Sequence, residues 1–333
     1  MQKGILSAVG NTPLIELTRF FRNAHFRLFA KLESINPGGS LKDRAALTII
    51  NKAIEQGMLR SGGTVIESSS GNMGIGLAQV CAYLGFRFIC VIDPKTTSQN
   101  VNLLKAYGAE VDLVTEPDAR TGDFLQARIS RVEALMKSTP NTFWPNQYAN
   151  TDNPLAHHQT MQEITTAVGG NLDYVFCAAS TCGTVRGCSE YVKSHNLRTR
   201  VIAVDAVGSV IFGGKSAKRL IPGHGAARRP ELYQSDMVDR SVAVSDLDCI
   251  VGCRRLVRRE AIMAGGSSGA VVMAVDKIKH EIPADSTCVV ILADRGSRYL
   301  DTIYSDEWVN KHFGDVSHLW EDSFVATSHG AVA

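Results

Sequence analysis

The sequence predicts an α/β protein built on mostly parallel, buried strands. Short β-branched runs alternate with longer helical patterns along most of the chain. The strand runs, such as Val289-Val290-Ile291-Leu292, are apolar on both faces, as strands covered by helices on both sides must be. Gly- and Ser-rich loops follow several of these runs, and sheets of this kind gather ligands at their strand C-terminal ends. A chain of 333 residues suggests about two domains.

Strands are expected over 28–32, 64–67, 88–92, 111–114, 174–177, 201–204 and 287–292. Helices are expected at 42–56, 73–84, 98–107, 122–137, 154–167, 184–194, 246–261 and 269–281. The first helix opens after a Pro-Gly-Gly-Ser turn and shows its period in Ala45, Ala46, Leu47, Ile49 and Ile50. The stretch 140–155, rich in Pro and Asn, reads as a crossover between domains. The segment 205–235 is rich in Gly, Pro and Arg and lacks periodicity, so it reads as a long irregular loop of the kind that is often functional. Beyond about residue 310 the periodicity fades, and a partly disordered tail is expected there.

Composition excludes several classes. The 35 basic residues nearly balance the 33 acidic ones, and no basic stripe with interleaved aromatics occurs, so a nucleic-acid partner is not expected. No apolar run approaches a membrane span, and the first residues lack the apolar core of a signal peptide. The eight cysteines form no Cys-x-x-Cys pair and sit in apolar contexts. This reads as a reduced, cytoplasmic protein with no disulfide framework and no metal site.

Four short segments carry chemistry. In Asn36-Pro37-Gly38-Gly39-Ser40-Leu41-Lys42-Asp43-Arg44, a lysine stands at a helix start. The positive field there disfavours the ammonium, and a neutral amine is what Schiff-base formation with an aldehyde needs. Ser68-Ser69-Ser70-Gly71-Asn72 joins a strand to a helix, where hydroxyls and free N–H groups bind a carboxylate. One serine would serve as a cap; three in a row exceed that need. Ser180-Thr181-Cys182-Gly183-Thr184 repeats the geometry and suits a phosphate, although it is neither a P-loop nor a dinucleotide fingerprint. Gly265-Gly266-Ser267-Ser268-Gly269 opens another helix; its small residues fit either close approach to a flat ligand or helix–sheet packing. Together these parts describe a pyridoxal phosphate site.

In the order and spacing of these motifs, from Val9-Gly10-Asn11-Thr12-Pro13-Leu14 to about Tyr299-Leu300, the chain resembles the cysteine synthase and cystathionine β-synthase family of fold-type II pyridoxal phosphate enzymes. The resemblance implies two three-layer α/β/α domains of the tryptophan synthase β-like kind, with the cofactor in the cleft. It divides the chain into a larger cofactor-binding domain (1–40 plus 149–310), a smaller mobile domain (41–148) and a tail (311–333), in a homodimer. It implies that Lys42 forms the Schiff base and later serves as acid and base at the substrate Cα. Asn72 would bond the cofactor's phenolic oxygen. Ser69, Ser70 and Gly71, with Gln147, would hold the substrate α-carboxylate. Ser180, Thr181, Cys182, Gly183 and Thr184 would hold the cofactor phosphate, and Ser267 would face the pyridine nitrogen. A serine there leaves that nitrogen unprotonated, which favours β-elimination and β-replacement over transamination.

The phosphate loop departs from the family's Gly-Thr-Gly-Gly-Thr at Ser180 and Cys182. With Arg128, Asn146-Gln147-Tyr148-Ala149-Asn150, Val204–Gly213 and the stretch Leu292–Asp301, this is similar to a branch that joins O-phospho-L-serine to L-glutamate. That branch works on the way to L-2,3-diaminopropionate and a siderophore. Glutamate brings two carboxylates and phosphoserine a phosphate, so cations and hydroxyls are needed. Arg128, Tyr148 and Ser180 are the candidates for glutamate; Arg219, Arg228 and Arg295 are weaker candidates for phosphate or loop contacts. His224 stands where the family has an aliphatic residue, and the adjacent His157 and His158 read as structural. Two other functions fit less well: a cysteine synthase using O-acetylserine or O-phosphoserine with sulfide, and a non-catalytic amino-acid-binding protein. Intact Lys42, Asn72 and Ser267 oppose the second.

Overall fold

The structure is a computed structural model and describes residues 4–321. In chain order its first elements are β1 (Leu14–Glu16), β2 (Arg27–Leu32), α1 (Lys42–Glu55), β3 (Thr64–Ser68), α2 (Asn72–Leu84), β4 (Arg87–Ile92), α3 (Ser98–Ala106), β5 (Glu110–Leu113), α4 (Phe124–Ser138) and β6 (Thr142–Phe143). There follow α5 (Asp152–Ala167), β7 (Tyr174–Ala178), α6 (Gly183–Ser194), β8 (Arg200–Ala206), β9 (Arg240–Val244), α7 (Asp246–Glu260), α8 (Gly266–Ile278), β10 (Thr287–Leu292) and α9 (Asp306–Phe313).

The strands form two sheets. One has six strands in the order β1-β2-β10-β7-β8-β9, the other four in the order β5-β4-β3-β6. Only the β1–β2 pair is antiparallel among the described strands. Strands β3, β7 and β10 are interior strands, and β3 and β10 are buried at every position. That is why they read as continuous apolar runs. The expected strands and helices are all present, with ends moved by three residues at most.

Three strands escape the sequence reading. β1 and β6 are too short to show a period, and β9 is an edge strand that buries only Val242 and Val244. The expected irregular tail needs correction as far as residue 321: α9 continues to Phe313, and Trp320 is buried. Trp320 and Val309 pack into the core of the six-stranded sheet. The rest of that tail lies outside the described residues. Residues 207–239 hold no helix or strand, as expected of the segment around 205–235.

Two buried helices bring the sheets' loops together. α2 is apolar nearly all round and packs on α1. α8 is buried over most of its length and crosses α7 so closely that a Cβ on Gly252 would lie 2.3 Å from the Gly269 carbonyl oxygen. The small residues of α8 are thus required for packing as well as for the site. The stretch after β6 crosses from the smaller sheet to α5, which packs on α6 beside the larger one.

Candidate active site

One cavity lies where the N-termini of α1, α2, α6 and α8 converge. It is lined by Lys42, the loop Ser68–Met73, Arg128, Gln147 and Tyr148 on one side. Ser180–Thr184, Gly223 and Ser267 line the other. Four helix ends aimed at one space give it a positive backbone field and many free N–H donors. Lys42, Ser69, Ser70, Gly71, Asn72, Arg128, Gln147, Tyr148, Ser180 to Thr184 and Ser267 all line this cavity, whereas the weaker candidates Arg219, Arg228 and Arg295 do not.

Lys42 is the first residue of α1, and its backbone N–H donates to Ser40 Oγ at 3.2 Å. The preceding turn is held by Asp43, which accepts from the Gly38 N–H at 2.6 Å. Gly39 takes φ +86°, a conformation that favours glycine. The Lys42 amine is lowered to about 8, with burial as the leading cause. The sequence assigned that depression to the helix field; burial is a cause that the sequence did not reveal.

In the Ser-rich loop, Ser69 Oγ accepts from the Gly74 N–H at 2.9 Å and so caps α2, while its own hydrogen remains free to be donated. A Cβ on Gly71 would meet open space, as expected of a residue facing the cleft. Asn72 lines the cavity, but its amide is engaged: Nδ2 donates to Asp294 Oδ2 at 2.8 Å, and Oδ1 accepts from Arg298. One Nδ2 hydrogen is left for a ligand oxygen.

The second loop is closed by Thr181, whose Oγ1 accepts from the Gly183 N–H at 3.3 Å. Cys182 adopts φ +68° ahead of α6, the left-handed turn that glycine usually supplies. Gly183 is required by close approach: its Cβ would fall 2.3 Å from Asn153 Oδ1. Thr184 Oγ1 lies 3.3 Å from His157 Nε2. His157, buried inside α5, thus braces this loop. Burial and the nearby Lys42 and Arg44 hold His157 neutral, well below the usual imidazole range.

Arg128 lines the cavity with its Nε 3.3 Å from Asp93 Oδ2, an ion pair without hydrogen-bond alignment. Tyr148 is raised above the ordinary phenol range, chiefly by burial. The other arginines turn elsewhere. Arg295 donates to Ser34 and Asn36 carbonyls, Arg219 to the His224 carbonyl and Arg228 to Gln126 Oε1. His224 is buried with Nε2 3.5 Å from Cys249 Sγ and is lowered to about 4 by burial. Nothing in the structure explains the choice of histidine there. Sequence reading missed Glu67, Asn153, Asp294 and Arg298, all close behind the cavity. Two signals were present: Glu67 is a carboxylate in a strand run, and Asp294 and Arg298 lie in the stretch Leu292–Asp301 already singled out.

A lysine of lowered pKa facing helix-end anion cradles is the equipment of a pyridoxal phosphate enzyme. The chain belongs to the pyridoxal-phosphate dependent enzyme family, whose profile matches residues 5–294. It is 44% identical over 308 residues to N-(2-amino-2-carboxyethyl)-L-glutamate synthase of Ralstonia nicotianae, covering 92% of this chain and 91% of that protein. Among solved structures it is similar to a cysteine synthase from Entamoeba histolytica (34% identical, TM-score 0.84, 91% of each chain). It is also similar to an O-acetylserine dependent cystathionine beta-synthase from Helicobacter pylori (29% identical, TM-score 0.84, 92% of this chain and 99% of that one).

The cofactor of this enzyme is therefore pyridoxal 5'-phosphate. The residues present fit it. The amine, the Gly183 cradle that a Cβ would fill and the cleft-facing Ser267 stand around one cavity. Ser68 Oγ, buried and without a protein partner among the described residues, is a further polar atom of the same cavity.

Proposed function

We propose that this enzyme joins O-phospho-L-serine to L-glutamate by β-replacement, giving N-(2-amino-2-carboxyethyl)-L-glutamate and phosphate. The product would feed L-2,3-diaminopropionate and siderophore synthesis. The observation that carries this reading is Arg128, a cation that lines the same cavity as Lys42, Tyr148 and Ser180. A sulfide nucleophile needs no such group; a nucleophile with two carboxylates does. The identity to the Ralstonia synthase supports the same reading.

Bound pyridoxal phosphate supplies the electron sink that loosens the Cα proton and the β-substituent. The chain's own residues do the rest. Lys42 takes the Cα proton and returns it to Cα after the new bond forms. Its lowered pKa leaves a useful fraction of free amine near neutral pH. Ser69, Ser70, Gly71 and Gln147 hold the α-carboxylate, which fixes the Cα–H bond toward Lys42. Asn72 and Ser267 orient the ring, and Ser180 to Thr184 hold the cofactor phosphate. Arg128 and Tyr148 receive the glutamate side-chain carboxylate, and Ser180 contributes a hydroxyl. The C–O bond to phosphate breaks, and the glutamate nitrogen forms the C–N bond and gives up a proton.

The reading includes a smaller domain, 41–148, that closes on 1–40 plus 149–310, and a homodimer in the cytoplasm. Eight free, buried thiols support a reducing compartment, and no helix among the described residues is long and apolar enough to cross a membrane. The purified enzyme given phosphoserine should release phosphate steadily only when glutamate is present, with the C–N product seen by mass spectrometry. Steady release with sulfide alone, yielding cysteine, would favour the cysteine synthase reading.

A further inference from the structure

Glu67 is the penultimate residue of β3, directly before Ser68, and is only 2% exposed. Three N–H donors converge on its carboxylate. Oε1 accepts from the Ser68 N–H at 2.8 Å and from Trp144 Nε1 at 3.2 Å; Oε2 accepts from the Gln147 N–H at 3.2 Å. Ser68 opens one wall of the α-carboxylate cradle, and Gln147 is the other. Gln147 is also gripped from behind, its carbonyl accepting from Asn153 Nδ2 at 2.7 Å. Asn153 Nδ2 lies 3.3 Å from Thr181 Oγ1 in the phosphate loop. The peptide planes flanking Gln147 are thus set from β3 and from α5. Burying a carboxylate is costly, and only an acceptor with two charged oxygens satisfies donors from three directions.

We infer that Glu67 is a positioning residue for the substrate: its ionised carboxylate fixes the spacing between the Ser68–Gly71 loop and Gln147, and so sets the affinity for an amino acid's α-carboxylate. This deepens the β-replacement reading and rests on it for the identity of the cradle.

The titratable groups facing Glu67 are Arg128 from α4, Cys90 from β4 and Tyr148 beside Gln147. Arg128 favours the ionised form and pairs with Asp93. Cys90 is pushed up to about 12 by burial and stays neutral, as does Tyr148. Burial lifts Glu67 to about 7, while its N–H donors and Arg128 pull the other way. Above pH 7 all three donors are met. Below it the added proton is a donor among donors, and the cradle loosens.

The test uses the holoenzyme and L-alanine, which has the α-carboxylate but no leaving group, with affinity read from the cofactor's visible absorbance. Glu67→Gln should bind L-alanine about tenfold more weakly at pH 8, the loss of about one charge-assisted hydrogen bond. At pH 6, where the wild-type carboxyl is itself neutral, the two should agree within about twofold. Trp144→Phe, which leaves both walls in place, should match wild type within about twofold at both pH values. A ratio that is the same at pH 6 and pH 8, or loss of cofactor in Glu67→Gln, would overturn the inference. Should that variant not fold, the wild type alone decides. Its preference for L-alanine over ethylamine, which lacks only the carboxylate, should fall about tenfold from pH 8 to pH 6; an unchanged preference would overturn the inference. A flat result leaves the glutamate reading standing, whereas absence of the C–N product would sink that reading and leave the alanine ratios as they are.

Discussion

The two walls of the cleft are made of different chemistry. On the side of the larger sheet, Ser180–Thr184, Gly223 and Ser267 present hydroxyls, a thiol and backbone N–H groups, with no charged side chain among the lining residues. On the side of the smaller sheet, Arg128 lines the cavity, with Asp93 paired to it and Glu67 buried behind the loop. Helix ends and hydroxyls suit a resident anion that must stay put, since they bind without changing charge. Buried ionisable groups suit molecules that come and go, because a small displacement there changes affinity steeply. Lys42 lines the cavity at the junction of the two walls.

The comparison can be broken at several points. The largest effect belongs to Lys42→Ala. Turnover should fall at least about a thousandfold, because the nucleophilic amine and the Cα base vanish together. A steady-state assay with more than a tenth of wild-type rate remaining would move the base elsewhere. Next is Arg128→Ala, expected to lower kcat/KM for glutamate about ten- to hundredfold, the worth of a charge-assisted bond. Phosphate release in a single turnover with phosphoserine alone should stay near wild type. If both fall together, Arg128 belongs to the resident wall after all.

A smaller effect concerns pH. Lys42 has a lowered pKa, so the neutral amine is gained as pH rises toward about 8. Stopped-flow capture of cofactor by apoenzyme should accelerate nearly tenfold between pH 6.5 and 7.5 and level off above about 8.5. A flat profile would mean that the amine is already neutral at pH 6.5. The smallest effect is Trp144→Phe, which removes one donor from Glu67 and should cost about 1 kcal/mol in a urea melt. A loss beyond about 3 kcal/mol would make the indole a packing keystone rather than one of three donors.

The two walls were not equally legible. The resident wall is local: Ser180 to Thr184 follow one another on one turn, as do Gly265 to Gly269, so strand–loop–helix order reveals them. The proposed substrate wall is assembled from β3, α4 and the stretch after β6, and the Glu67–Gln147 bond spans 80 residues. No periodicity carries that information. Asn153 and His157 were opaque for a related reason: they sit inside α5, and only the α5–α6 packing shows that they reach Thr181 and Thr184. The Asn72 contact with Asp294 spans 222 positions and was equally hidden. Short or edge strands, β1, β6 and β9, were missed because half-open or two-residue segments have no run to read.

The most direct test is a competition. The enzyme is given O-phospho-L-serine with glutamate and sulfide at equal concentration, and the products are resolved by mass spectrometry. The cationic substrate wall predicts that the C–N product dominates and that Arg128→Ala shifts the balance toward cysteine. Cysteine as the main product of the wild-type enzyme, with no shift in the variant, would contradict it.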